Sequence, residues 1–505
     1  MHFPLLTVLI FLPLLGALLL LLLPGKSEAA ASSARVVGLA VSGVSFLLAV
    51  GMWFGFQPSL AGFQFQDRAD WVPGFGISYH VGLDGISLLF VVLTTLVTPL
   101  ALLAATRAIT TRVRDYVIAV LALETTLLGL FSSLDFVLFY VFYEATLIPG
   151  SLMVGIWGGP KRVHASIKFF LFTFGGSLFM LLALLAMWHV AGTTDIPTLL
   201  HTRFAPALQS WMFLGLVLAF GVKLPIFPLH AWLPDAYTEA PSSATAMLSG
   251  VLSKAGAYGL LRFAIGILPD AAHRYAPVMI ALGIVAVIYA AIIALSQTDM
   301  KRLVAYSSFS HMGLVLVGLF TLNATGIDGA LFVMLSHGII IAALFSALSM
   351  LSDRAGTREI AGFGGAASRM PAFASLLMLF TMANIGLPGT GSFVGELLVM
   401  IGAIKVGFWV ALLSGMAMIL GAVYMLVLYR HVAFEAASGL VAAMRDLDVR
   451  ERLVLVPLAV ITLWMGVYPS SFTRVFDPVI GQLAHSFDLS AQSAAAVSAG
   501  SRTLS

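Results

Sequence analysis

Four ionisable side chains lie deep inside apolar runs: Glu144 in YVFYEATLIPG, Lys223 in FGVKLPIFPLHAWLPDA, Lys254 in SGVLSKAGAYG and Glu396 in GSFVGELLVM. Glu124, in VLALETTLLG, is a fifth. A lysine at the centre of a membrane helix costs roughly 2.5–3.5 kcal/mol on insertion scales, so charges kept at such depth mark ion pathways or proton relays. Three histidines accompany them: His230, two turns beyond Lys223; His311, in SSFSHMGLVLVG; and His337, in VMLSHGIII. Histidine titrates closest to neutral pH, so histidines spread among lysines and carboxylates suit proton transfer. Ser307, Ser308 and Ser310 are placed to hold water beside His311. The plainer alternatives are structural ion pairs for the charges and satisfied packing positions for the histidines. For Glu124 both readings stay open. Metal binding has little support: His230 and Asp235 are separated by a proline, and no HxxxH or HExxH occurs. GFGGAA at 362–367 matches a dinucleotide fingerprint only by letter, because it sits in a loop after a helix with no preceding strand.

The elements that carry these residues follow from composition. The chain has 505 residues, of which 60% are hydrophobic and 10% charged, and its mean hydropathy is +1.02. A water-soluble chain of this length needs a more charged surface, so this is an integral membrane protein. The net charge of +3 comes with basic residues confined to short loops, which argues against nucleic-acid binding. The absence of cysteine excludes disulfides and cysteine-ligated clusters within the chain. The first apolar run is too long for a signal peptide and lacks a basic start, so it reads as a span. Fourteen spans are expected, at about 3–23, 35–56, 82–104, 115–133, 135–157, 165–189, 210–232 and 242–267, then 276–296, 304–322, 329–351, 372–404, 407–431 and 452–469. No barrel-type strands appear, so the expected fold is an all-α membrane bundle.

Of the 26 Lys and Arg residues, 17 fall in loops after odd-numbered spans and 7 on the opposite side. The positive-inside rule then puts both termini outside the cell membrane. Lys223 and Lys254 are the remaining two. The seventh span breaks at its prolines. The twelfth, FTMANIGLPGTGSFVGELLVM, breaks at Gly386, Pro388, Gly389 and Gly391, just before Glu396. Each is fourth in a set of five, spans 4–8 and spans 9–13. An odd-numbered set inverts the next, and paired broken helices in inverted halves point to a transport site. The expected organisation is three leading helices (1–114), a first five-helix repeat (115–267), a second inverted repeat (276–431), and a final loop, helix and tail (432–505). Burial disfavours the charged form of a lysine and a nearby carboxylate favours it. Moving Glu144 relative to Lys223, or wetting the site, would load or unload a proton. Pro225 and Pro228 free backbone carbonyls and open room for water there.

VKLPIFPLHAWLPDAYTEAPSSATAMLSGVLSKAGAYG and ALSQTDMKRLVAYSSFSHMG resemble the antiporter-like subunits of respiratory complex I and of Mrp-type cation/proton antiporters. The resemblance spans about residues 80–470. It implies a proton-translocating membrane subunit of an NADH–quinone oxidoreductase in a bacterial inner membrane. FMN, iron–sulfur clusters and quinone would then belong to partner subunits, with no cofactor in this chain. The partners implied are other membrane-arm subunits, chiefly two further antiporter-like ones, within the lipid bilayer. By the same resemblance Glu144 and Lys223 match a glutamate–lysine pair, and Lys254 a central-axis lysine. His230, His311 and His337 match polar positions on that axis, with Glu396 near its far end, where one branch of the family carries glutamate and the others lysine. A sodium/proton antiporter subunit and a membrane subunit of a hydrogenase-type complex are the alternatives. A passive scaffold fits poorly with so many buried charges.

Overall fold

Long apolar segments bounded by capping residues make most of the chain helical. The computed structural model describes residues 4–22, 28–60, 62–436 and 439–484. Lys26, Arg502 and both termini, on which the expected orientation partly rests, lie outside the described residues. The chain begins with α1 (Leu5–Leu21) and α2 (Glu28–Gly55), then an antiparallel hairpin of β1 (Gln64–Val72) and β2 (Ile77–Leu83). Next come α3 (Gly85–Ala108), α4 (Val113–Ser132), α5 (Phe136–Ala145), α6 (Leu147–Trp157), α7 (Arg162–Ala191), α8 (Ile196–His201) and α9 (Pro206–Lys223). After a non-helical stretch come α10 (Leu233–Glu239), α11 (Ser242–Met247) and α12 (Ser253–Gly259). A π turn at Leu248–Leu252 joins α11 to α12, and another at Leu260–Ile265 continues it. The second half holds α13 (Pro269–Leu295), α14 (Met300–Phe320), α15 (Ala324–Ala355), the short α16 (Ala366–Arg369), α17 (Pro371–Ile385), α18 (Gly391–Val406) and α19 (Phe408–Ala433). It closes with α20 (Gly439–Ala442), α21 (Val449–Val467) and α22 (Ser470–Ala484).

Taking α5 and α6 as one, ten helices among the described residues are long and apolar enough to cross a membrane. The bent pair α21–α22 makes an eleventh. Three of the expected spans fall outside this count for local reasons. Helix α1 is only 17 residues long, the 242–267 run is interrupted by π turns, and the 372–404 run is two helices separated at Gly386–Thr390.

The all-α expectation needs one correction. Residues 64–83 form the hairpin, with Ala69 opposite Tyr79 and Val72 opposite Ile77. Its polar strands clamp the turns beneath them. The His80 carbonyl accepts from the Leu134 N–H at 2.8 Å, and Asp135 Oδ2 accepts from the Ser78 N–H at 3.1 Å and Thr194 Oγ1 at 2.8 Å. Asp84, at the hairpin's exit, starts α3 by accepting from the N–H groups of Ile86 and Ser87, which satisfies donors that a helix start leaves free.

Helix α15 is buried along its length, and α14 nearly so, whereas α7, α13 and α19 turn much of their apolar surface outward. Small residues let the central helices meet at the backbone. A Cβ on Gly395 would lie 2.7 Å from the Val333 N, and one on Gly329 2.4 Å from the Val399 N. This contact of α15 with α18 brings Glu396, the next residue, against the centre of the molecule.

Candidate functional site

Helix α9 stops at Lys223 because Pro225 and Pro228 cannot donate backbone hydrogen bonds. The Trp232 indole N–H donates to the freed Val222 carbonyl at 2.8 Å. The stop leaves the Lys223 side chain buried and reaching across to the α5–α6 junction. Lys223 Nζ donates to the Tyr143 carbonyl at 3.0 Å and to Thr146 Oγ1 at 2.8 Å, and lies 3.3 Å from the centre of the Tyr143 ring. The junction is itself a helix break. Pro149 gives the Ala145 carbonyl no donor and crowds it, and α5 ends at that residue. The sequence reading quoted this proline and did not foresee the break. Glu144 sits on the same turn, half-buried, with Oε1 unpartnered. Lys223 and Glu144 thus share a junction without a direct ion pair, Lys223 being held by Tyr143 and Thr146.

The other predicted residues form a line. Lys254 lies just past the first π turn, fully buried. Its Nζ donates to the Ser249 carbonyl at 2.6 Å and lies 3.2 Å from Ser253 Oγ and 3.0 Å from His337 Nδ1. The His337 and His311 rings are 5.2 Å apart, and His337 Nε2 has no partner. His311 Nδ1 is 2.9 Å from the Ser307 carbonyl and Nε2 3.0 Å from the Asn384 carbonyl. Carbonyl oxygens only accept, so both ring nitrogens are set to donate when His311 is protonated. Glu396 Oε1 lies 3.4 Å from His311 Nε2, placed to pair with that protonated form. The other carboxylate oxygen faces the helix break, 2.5 Å from where a Cβ on Gly386 would stand. Gly386 has φ +86, a conformation that favours glycine. From Lys254 to Glu396 the line crosses α12, α15, α14 and α18, and its one gap is the ring-to-ring step between the two histidines.

His230 is not joined to this line. It stacks on Phe309 at 4.3 Å, with Phe227 and Tyr289 alongside, and its Nδ1 is unpartnered. No hydrogen bond connects Lys223 with Lys254, although the elements touch: a Cβ on Gly256 would lie 2.5 Å from the Leu224 N. Of the serines named for water, Ser307 accepts from Asn384 Nδ2 at 2.9 Å and from the Tyr424 hydroxyl at 3.1 Å. Ser310 donates to the Val287 carbonyl, and Ser308 Oγ is unpartnered. Sequence reasoning missed Tyr143, Thr146, Asn384 and Tyr424. Asn384, a polar residue just before a glycine break, carried a readable signal, whereas Tyr424 carried none. Glu124 is completely buried in α4, and neither carboxylate oxygen has a partner.

The family model described as "NADH:quinone oxidoreductase/Mrp antiporter, TM" matches residues 133–421. NADH-quinone oxidoreductase subunit M of Rhodobacter capsulatus is 44% identical, over 98% of this chain and 99% of the relative. Among solved structures, a chain of respiratory complex I from Thermus thermophilus with bound NADH superimposes with a TM-score of 0.87 at 34% identity, covering 95% of this chain and 99% of that one. A chain of the Mrp complex from Dietzia shares the fold, with a TM-score of 0.84 at 22% identity over 95% of this chain and 97% of that one.

Proposed function

The chain belongs to the NADH:quinone oxidoreductase/Mrp antiporter transmembrane family, and on that premise we propose that it fills the role subunit M has in its bacterial relatives. It is a multi-pass, antiporter-like membrane subunit of a proton-translocating NADH–quinone oxidoreductase. Redox chemistry occurs in partner subunits, where FMN, iron–sulfur clusters and quinone reside. Energy reaches this chain as movement and changed electrostatics at its neighbours, chiefly two other antiporter-like subunits. The observation that carries the reading is the buried line from Lys254 through His337 and His311 to Glu396. A proton on Lys254 passes to His337 Nδ1 along an existing hydrogen bond, crosses to His311 by a bridging water or a ring movement, and displaces one toward Glu396. Lys223 and Glu144 form the loading end. A change in water content at the α5–α6 junction alters the balance between them, and the two titrate jointly. His230 stands in the approach to that end.

In this reading the chain crosses an inner membrane fourteen times with both termini outside, and α4–α12 and α13–α19 are inverted halves, the fourth span of each being broken. A sodium/proton antiporter subunit remains the second reading, favoured by the shared fold with the Mrp complex chain. Purifying the tagged chain from its native membranes separates the two. Copurifying flavin and iron–sulfur subunits with NADH-driven quinone reduction are expected. Isolation of an intact assembly without flavin or iron would sink the proposal.

A further inference from the structure

Glu124 is a fully buried carboxylate that the Lys254–Glu396 line does not use and that has a partner on neither oxygen, and its position on α4 can be followed from its helix face. Val117 and Phe131 lie two turns on either side of it, on the same face. Val117 packs 2.5 Å from where a Cβ on Gly38 of α2 would stand, with Leu102 of α3 beside it. Phe131 stacks on Phe90 of α3 at 5.1 Å. Glu124 therefore faces the groove between α2 and α3. Helices α2 and α4 both end at the hairpin, so Ser45, two turns beyond Gly38, is level with Glu124. Helix α3 runs the opposite way, and its level residues lie between Phe90 and Leu102, beside Thr95 and Thr98. Ser42, Ser45, Thr95 and Thr98 are all fully buried.

Each of these hydroxyls has already spent its hydrogen. Ser42 Oγ donates to the Gly38 carbonyl, Ser45 to Val41, Thr95 to Val91 and Thr98 to Thr94. Their lone pairs remain, so the layer offers acceptors and no donors. No cation reaches it either. Helices α1 and α6 carry no charged side chain, α2 carries only Glu28 and Arg35 in its early turns, α3 only Arg107 in its last turn, and α5 only Glu144. On α4 itself Arg114 and Asp115 lie in the first turn. A carboxylate anion here would have no counter-ion and no donor among these four hydroxyls, a costly state. A neutral carboxylic acid has one O–H to donate and finds acceptors waiting.

We propose that Glu124 is a second proton-holding site, lying across α3 from the Lys254–His337 line and resting as a neutral acid that donates to this hydroxyl layer. Both oxygens are unpartnered in the present conformation, so the bond closes by a rotamer change of Glu124 or through one water. Its proton is released only when water or a cation enters the groove. This assignment stands whether or not the line itself conducts.

Infrared spectroscopy of the resting, assembled complex tests it directly. Wild-type complex is expected to show a protonated-carboxyl C=O band that shifts in D2O, persists from mildly acidic to mildly alkaline pH, and vanishes in Glu124→Gln. In Glu124→Asp the band should move rather than vanish, which keeps the test open if one variant fails to assemble. A carboxyl region unchanged by either substitution would overturn the proposal, because Glu124 would then be ionised at rest.

Discussion

At the scale of single residues, the geometry divides the buried charges into a held lysine and a connected line. Lys223 is fixed by the Tyr143 carbonyl and the Thr146 hydroxyl rather than by contact with Glu144. Hydrogen bonds to charged groups are worth about 1.5–3 kcal/mol, so Thr146→Val is expected to loosen Lys223 and slow coupled quinone reduction without dissociating the complex. Lys223→Ala and Glu144→Gln should each suppress proton pumping while NADH oxidation by ferricyanide continues. The double variant should be little worse than the worse single, because one interrupted relay already stops transfer. Multiplying defects would instead show two independent roles. Glu396→Gln keeps the volume and removes the carboxyl group beside His311, so pumping should fall in a fully assembled complex. The residues of the line were legible because charge and histidine inside apolar runs are rare. The partners that hold Lys223 were not, because a backbone carbonyl and a threonine hydroxyl are ordinary components of any membrane helix.

At the scale of elements, helix breaks position the chemistry. The breaks after Lys223 and after Ile385 follow from the prolines and glycines that mark them, and the sequence reading located both. The break at Thr146 and the π turns flanking Lys254 went unread. The 135–157 run, EATLIPG included, reads from hydropathy as one span, and π turns have no residue signature. Gly386 and Gly389 separate the parts of the second break. Both have positive φ, so alanine at either position costs about 1–2 kcal/mol. A Cβ at Gly386 also strikes the Glu396 carboxylate, whereas at Gly389 it meets open space. Gly386→Ala is therefore expected to impair pumping much more than Gly389→Ala, and equal defects would mean that only backbone strain matters. Helix α17 also depends on a distant carboxylate. Burial alone would raise the Asp446 carboxyl, but N–H donors from Ala372, Leu447 and Phe373 outweigh it and hold it below the usual range. A depressed acid stabilises the fold above its unfolded pKa and loses that contribution as pH falls through the folded one. Amide exchange at the start of α17 should thus accelerate only below about pH 3.9, and Asp446→Asn should remove that acid-dependent step.

At the scale of the whole molecule, hydropathy revealed the membrane class and most of the spans, while the hairpin over α4, α5 and α8 escaped because its polar strands read as a loop. Its role is visible only once Asp135 and His80 are seen to tie three turns together. The proposed topology is testable by fusion reporters. A C-terminal alkaline phosphatase should be active and one placed after about residue 440 inactive, and the reverse pattern would invert the assignment of the two faces. The three scales meet in the buried line from Lys254 to Glu396, whose weakest physical link is the gap between the two histidine rings. The most direct measurement is proton translocation per NADH oxidised in vesicles carrying His337→Phe, which keeps a ring and removes both nitrogens. Translocation and the quinone reduction coupled to it should collapse while ferricyanide reduction and assembly are retained. Undiminished translocation in the assembled variant would contradict a proton path through this line.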